Sequence, residues 1–187
     1  MSRWEPDARG RLEKAAFELY LSKGYEQTTV ADIAERAGLS ERTFFRHFTD
    51  KREVLFSGSD ALKTEMLRAL EDAPASLPAI DAVRLAVEAA AAMLPARHFA
   101  RERQRIVAAH PHVQERELIK RASLTNALAE GLERRGVAPA VASLAADMGM
   151  GVFHVGFARW LDEPVERAFV AVVRDAFDQL KAVASGT

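Results

Sequence analysis

The chain has 187 residues, of which 49% are hydrophobic and 28% charged, with a formal net charge of -1 and no cysteine. This composition is ample for a core and excludes disulfides and thiolate metal sites. It also excludes a general polycation, so any nucleic-acid surface must be local.

Helical periodicity is nearly continuous, strand signals are almost absent, and Pro and Gly punctuate the pattern. A first helix is predicted from about Pro6 to Lys23, with Leu12, Ala15, Ala16 and Leu19 on one face and Gly24 as its stop. Thr29 reads as the N-cap of a second helix, supported by Asp32, ending at Ala37 before Gly38. Ser40 caps a third helix that reaches about Phe48, and a fourth is expected over 51–72. The segment 73–78, APASLP, is a break. Further helices follow near 79–94, 97–109, 112–134, 139–161 and 164–183, separated by Pro95, His110-Pro111, Gly136 to Pro139, and Asp162 to Pro164. The expectation is an all-α chain of about nine helices. An N-terminal three-helix helix-turn-helix unit over 1–52 is joined through the 51–72 helix to a helical bundle over 53–187. The start, MSRWEPDARG, lacks the apolar run of a signal peptide, and the Ala-rich stretch 86–94 is too short to span a bilayer. A cytoplasmic protein with no membrane partner is expected.

On a wheel of about 100° per residue, Phe44 and Phe48 fall on one side of the third helix, and Arg42 and Arg46 fall opposite. Thr43 and His47 take one flank and Phe45 the other. From Arg36 to Arg52 there are five Arg or Lys against two acids. An apolar anchor with donors on the far side suits a helix inserted in the major groove, where Arg pairs with guanine and His or Lys with phosphate. An ordinary helical hairpin with a solvated charged face has the same generic pattern.

The specific residues add to it. TTVADIAERAGLSERTFFRHFTDKREVL, with AAFELYLSKGYEQTT before it, resembles the N-terminal signature of the TetR family of transcriptional regulators, from about Arg11 to Phe56. The resemblance implies DNA contacts from Thr29, Ser40, Arg42, Thr43, Phe45, Arg46, His47 and Lys51, with phosphates held at the starts of the second and fourth helices. The family usually has Tyr where this chain has Phe45, which removes a hydroxyl donor. It often has Gly or another small residue where this chain has Arg42. Arg3, Arg9 and Arg11 are compatible with a minor-groove or phosphate arm, or with a frayed terminus.

For the second half the resemblance implies ligand binding and dimerisation, the last two helices pairing with their copies in a four-helix interface. Small residues in 139–161 and an apolar stripe in the last helix nominate Ala145, Gly149, Phe153, Gly156, Val170, Val173 and Phe177 for that interface; the same residues would equally form a monomer core. A pocket is expected among the helices from 51 to 161, with Met66, Leu70, Met93, Phe99, Asn126, Met148, His154 and Phe157 as candidate lining, Asn126 and His154 being its polar anchors. These too sit at ordinary core spacing. The run Arg97, Arg101, Arg103, Arg105 either faces water or rims a site for an anion such as an acyl-CoA.

No Gly-rich phosphate loop or nucleophile elbow is present, and His110 and His112 are the nearest thing to a metal cluster. No catalytic residue, metal or cofactor is therefore expected. The predicted function is a homodimeric repressor bound to an inverted-repeat operator in double-stranded DNA and released by a small-molecule effector, apolar or acyl-CoA-like. The alternative is a ligand-independent DNA-binding or protein-interaction helical module.

Overall fold

The computed structural model describes residues 7–186, so Arg3 and the expected helix start at Pro6 lie outside the described residues. Among the described residues there are ten helices and no strands: α1 (Ala8–Ser22), α2 (Val30–Arg36), α3 (Glu41–His47), α4 (Lys51–Val54), α5 (Ser59–Asp72), α6 (Ala79–Ala92), α7 (Arg97–Ala109), α8 (Pro111–Arg134), α9 (Pro139–Asp162) and α10 (Phe169–Ser185).

Two of the expected helices come out differently. The helix expected over 51–72 is broken into α4 and α5. Val54, Leu55 and Phe56 are all buried. Three consecutive side chains on one helix point about 100° apart, so the chain must leave the helix to bring all three to the core. The last helix begins at Phe169 rather than near 164. The preceding segment is held by its carbonyls instead: Arg97 Nη1 donates to those of Glu163 (2.8 Å) and Val165 (3.0 Å), and Trp160 Nε1 to that of Arg167 (2.8 Å).

Two apolar cores result. The first gathers Leu12, Ala16, Tyr20, Ile33, Phe44 and Phe48 from the N-terminal helices and continues through Val54, Leu55 and Phe56. Val107 of α7 and Val113 of α8 complete it, so the α7–α8 corner is inserted beneath the first three helices. The second core lies around α6, whose Ala82, Val83, Ala86, Val87 and Ala90 are fully buried. α6 runs between α5, α9 and α10 at close range because its neighbours are small: a Cβ added to Gly149 of α9 would lie 2.1 Å from Val83 Cγ1. α9 is long and apolar enough, by length and composition, to cross a membrane, yet 39% of that window is buried in the fold. Its apolarity is shared between an inner face in the core and an outer face.

Candidate nucleic-acid interface

The geometry of α2 and α3 is set by local chemistry. Thr29 accepts from the backbone of Asp32 while the Asp32 carboxylate accepts from the backbone of Thr29, a reciprocal capping box. The hydrogen bond from Lys23 at 2.7 Å, helped by those from Thr29, holds the Asp32 carboxyl well below the usual carboxylate range. Gly38 sits at φ +66, the left-handed turn that ends α2. Ser40 then caps α3 by accepting from Thr43 N at 3.2 Å. Arg11 donates from α1 to the carbonyl of Ala37, bracing the turn from below.

α3 is pinned by Phe44 and Phe48, both buried, with ring centroids 5.5 Å apart. Its outer side presents Arg42, Arg46 and Phe45, the last 55% exposed. Among the described residues, neither Arg42 nor Arg46 has a protein hydrogen-bond or ion-pair partner. Their neighbours differ: Arg36 pairs with Glu18 at 2.7 Å and Arg52 with Asp50 at 2.7 Å. Thr43 shares a hydroxyl contact with Ser40 at 3.0 Å. His47 is half-buried, and its Nε2 is buried without a partner among the described residues.

Lys51 is placed otherwise. Its ammonium donates to the carbonyls of Tyr25 (2.8 Å), Glu26 (3.2 Å) and Thr28 (3.0 Å), and sits 4.5 Å above the Tyr25 ring. Its three protons are thus committed to the turn between α1 and α2. Arg9 reaches the carbonyl of Ser57 at 2.8 Å and pairs with Glu13.

Sequence reasoning missed how this unit is fastened to the bundle. Arg116 of α8 grips the Glu53 carboxylate with two nitrogens, and Lys120 adds a contact at 3.5 Å. These hydrogen bonds, Arg116 foremost, hold the Glu53 carboxyl below its ordinary value. Arg103 donates to the carbonyl of Leu55 at 2.8 Å, pairs with Glu117 at 2.9 Å and lies over the Phe56 ring. His110 Nδ1 lies 2.7 Å from the carbonyl of Ile106, and its Nε2 faces Glu26 at 3.4 Å. The only signal in the sequence was the run of arginines itself. Arg97 and Arg101 cap the carbonyls at the end of α9, and Arg105 pairs with Glu102, so the run does not rim a common site.

The candidate ligand residues are dispersed. Met66 and Leu70 are fully buried in the bundle core. Met93 and Phe99 are exposed, Phe99 lying edge-on to Phe17 of α1 at 5.8 Å. Asn126 lies in an open groove beside α5. Met148 is half-buried, and His154 is exposed and accepts from Arg121 at 3.2 Å. Partial desolvation of the ring against its neighbours, and then the Arg121 charge, push the His154 imidazole below its ordinary value. Phe157 belongs to an aromatic cluster with Phe153, Trp160 and Phe169. The candidate interface residues Ala145, Gly149, Gly156, Val173 and Phe177 are buried within the chain, with Phe153 and Val170 half-buried against the same core. The outer face of α9 instead carries Val141, Leu144, Met148, Gly151, Val155 and Ala158 at alternating spacings of three and four.

The family model described as bacterial regulatory proteins, tetR family, matches residues 12–57. The regulator TcmR of Streptomyces glaucescens is 48% identical over 67 residues, covering 36% of this chain and 30% of that protein. The chain spans about a third of the length of the curated relatives it matches. Over the whole fold, the Bacillus subtilis regulator FadR, solved in complex with stearoyl-CoA, superposes with a TM-score of 0.61 at 18% identity, covering 95% of this chain and 98% of that one. PfmR of Thermus thermophilus gives 0.50 at 27% identity, covering 91% and 97%. The helix-turn-helix segment over residues 12–57 thus matches the tetR family of bacterial regulatory proteins, and the chain as a whole shares the fold of these solved regulators.

Proposed function

We propose that the chain is a homodimeric, sequence-specific DNA-binding repressor that a small molecule releases from its operator. The observation that carries this is α3. Two arginines four residues apart stand open to solvent on a helix whose opposite side is locked into the core. Among the described residues, the other arginines are engaged within the chain, by carboxylates or carbonyls and, for Arg121, by His154. Arg42 and Arg46 are then the base- and phosphate-contacting cations, with Thr43, Ser40, Thr29 and His47 flanking them. Phe45 supplies apolar contact to a sugar or thymine methyl. Lys51 serves by holding the turn beneath α2, not by reaching phosphate. The reader is the unit over 1–52, and 53–187 binds effector and dimerises.

A second copy is supported by α9. Its outer apolar residues repeat as a two-per-seven seam along one exposed stripe, the pattern of a helix that meets another helix. A dimer would set two reader helices about one DNA turn, ~34 Å, apart. The Bacillus subtilis FadR of like fold was solved with a bound small molecule, stearoyl-CoA, which fits regulation by an effector without fixing its class here. The engaged arginines of α7 give no support to a phosphate-binding rim. Release would follow if the effector favours a conformer with altered reader separation.

The test is selection of bound sequences from a random duplex library at near-physiological salt. An enriched inverted repeat is expected. Binding without an enriched motif, fading as salt rises, would overturn operator recognition and leave a protein-contact or non-specific surface.

A further inference from the structure

The surface between α5 and α8 is concave. A groove of about 440 Å³ is lined by Lys63 of α5 and by a straight ridge of α8 that includes Ile119, Ala122, Ser123, Asn126 and Glu130. At about 1.5 Å per residue that ridge is roughly 16 Å long. The groove is open to solvent, with Ser123, Asn126 and Glu130 exposed along it. The two helices run side by side, since Leu67 and Leu70 of α5 pack on Gly131 of α8. Lys63 therefore lies about two turns before that contact, opposite the middle of the ridge.

The groove is chemically unfinished. Among the described residues, the side chains of Lys63, Ser123, Asn126 and Glu130 make no hydrogen bond or ion pair. On the same two helices, Arg68 holds Glu65 and Asp72, Arg116 holds Glu53, and Arg121 holds His154. One free cation, one free carboxylate and two neutral hydrogen-bonding groups thus share one concavity with an apolar end at Ile119 and Ala122. A simple anion entering it would meet Glu130, and a simple cation would meet Lys63. A molecule carrying both charges satisfies both, and charge-assisted hydrogen bonds are the strong ones.

We propose that the α5/α8 groove binds a small linear zwitterion. Its carboxylate pairs with Lys63, its ammonium with Glu130, and Ser123 and Asn126 hydrogen-bond between them. The proposal rests on the effector-regulated reading above and names a ligand class and a site for it. Such a ligand bridges α5, which leads from the reader through α4, to α8, whose Arg116 grips Glu53 of α4. Closing or splaying the groove therefore bears on how the reader is held.

The experiment is saturation-transfer NMR on the full chain, without DNA, comparing 6-aminohexanoate with hexanoate and hexylamine. The expected result is tightest binding of 6-aminohexanoate, by roughly tenfold over each comparison probe, the worth of one charge-assisted contact. Lys63→Gln should erase its advantage over hexylamine, and Glu130→Gln its advantage over hexanoate, with unchanged circular dichroism in both variants. Equal binding of the three probes, no saturation by any, or an advantage that survives both substitutions overturns the proposal. If 6-aminohexanoate binds as expected while affinity for a selected operator stays constant, the groove stands and effector release fails. No groove binding with an enriched operator overturns the groove and leaves operator recognition standing.

Discussion

Arg46 and Glu53 are both charged residues of the N-terminal unit, yet they are under opposite constraints. Arg46 has no partner within the described chain, so its removal should cost function without cost to folding. Arg46→Ala is expected to weaken binding to a selected operator by about 1–3 kcal/mol, roughly five- to 150-fold, with an unchanged melting midpoint. Unchanged affinity, measured by titrating labelled duplex, would remove Arg46 from the reader. Glu53 is held by Arg116 and Lys120 across the junction with the bundle. Its carboxyl is lowered from an ordinary 4.5 in the folded chain, chiefly by the Arg116 hydrogen bonds. The stability it contributes is thus present above pH 4.5 and is lost as pH falls through the lowered value. Melting midpoints recorded from pH 6 down to 3 should fall less steeply in Glu53→Gln than in the parent. Parallel curves would mean that the pair contributes nothing to the junction.

At the scale of elements, the sharpest constraint is the contact of α6 with α9. Any side chain at Gly149 collides with Val83, a β-branched residue that is itself fully buried. Gly149→Ala should destabilise by about 1–3 kcal/mol despite the gain in helix propensity. Gly151→Ala meets nothing within 4 Å of its own chain and is the control, read in the background of the seam-breaking double variant Leu144→Glu and Val155→Glu, where it should carry no folding penalty. Comparable midpoints for the two in thermal melts would show that α6 yields at this contact. The reading of elements from sequence worked where the signal is local. Thr29, Asp32, Gly38 and Ser40 each act on a backbone group within four residues, and all four were legible. The break between α4 and α5 was not, because the apolar run Val54-Leu55-Phe56 fits a helix by composition and fails only once all three must reach one core. The stripe Ala145, Gly149, Gly156 was legible as a close-packing face, but periodicity does not say whether the approaching helix belongs to the same chain. Met66 and Leu70 illustrate the same limit, since core and pocket lining share one spacing. The partners of Arg97 and Arg116, and the Leu55 carbonyl that Arg103 reaches, lie dozens of residues away, and no local pattern encodes them.

For the whole molecule, the proposed dimer requires that two readers be held at a fixed separation. The proposed seam of Val141, Leu144, Met148, Gly151 and Val155 lies on the face of α9 turned away from its own core. Charges placed there should separate the copies without unfolding either. Leu144→Glu combined with Val155→Glu is expected to halve the mass found by sedimentation equilibrium at micromolar concentration while helical content persists. Operator affinity should fall by more than tenfold, because one reader then binds without the other. A double variant that keeps the parent mass would move the dimer contact off this face.

Val107 and Val113, which lie some fifty residues beyond the end of the family signature, reach into the N-terminal core. Similarity and foldability therefore have different borders in this chain. A gene fragment cut at position 57 would carry every residue of the signature and lack two of the side chains that close its interior. Such a peptide should show weak, non-cooperative melting, whereas appending the α7–α8 corner through a short linker should restore a sigmoidal transition. A chimaera that swaps this reader onto another bundle inherits the same requirement: the recipient must present apolar side chains at the matching corner, or the grafted specificity arrives on a frame that does not hold its shape.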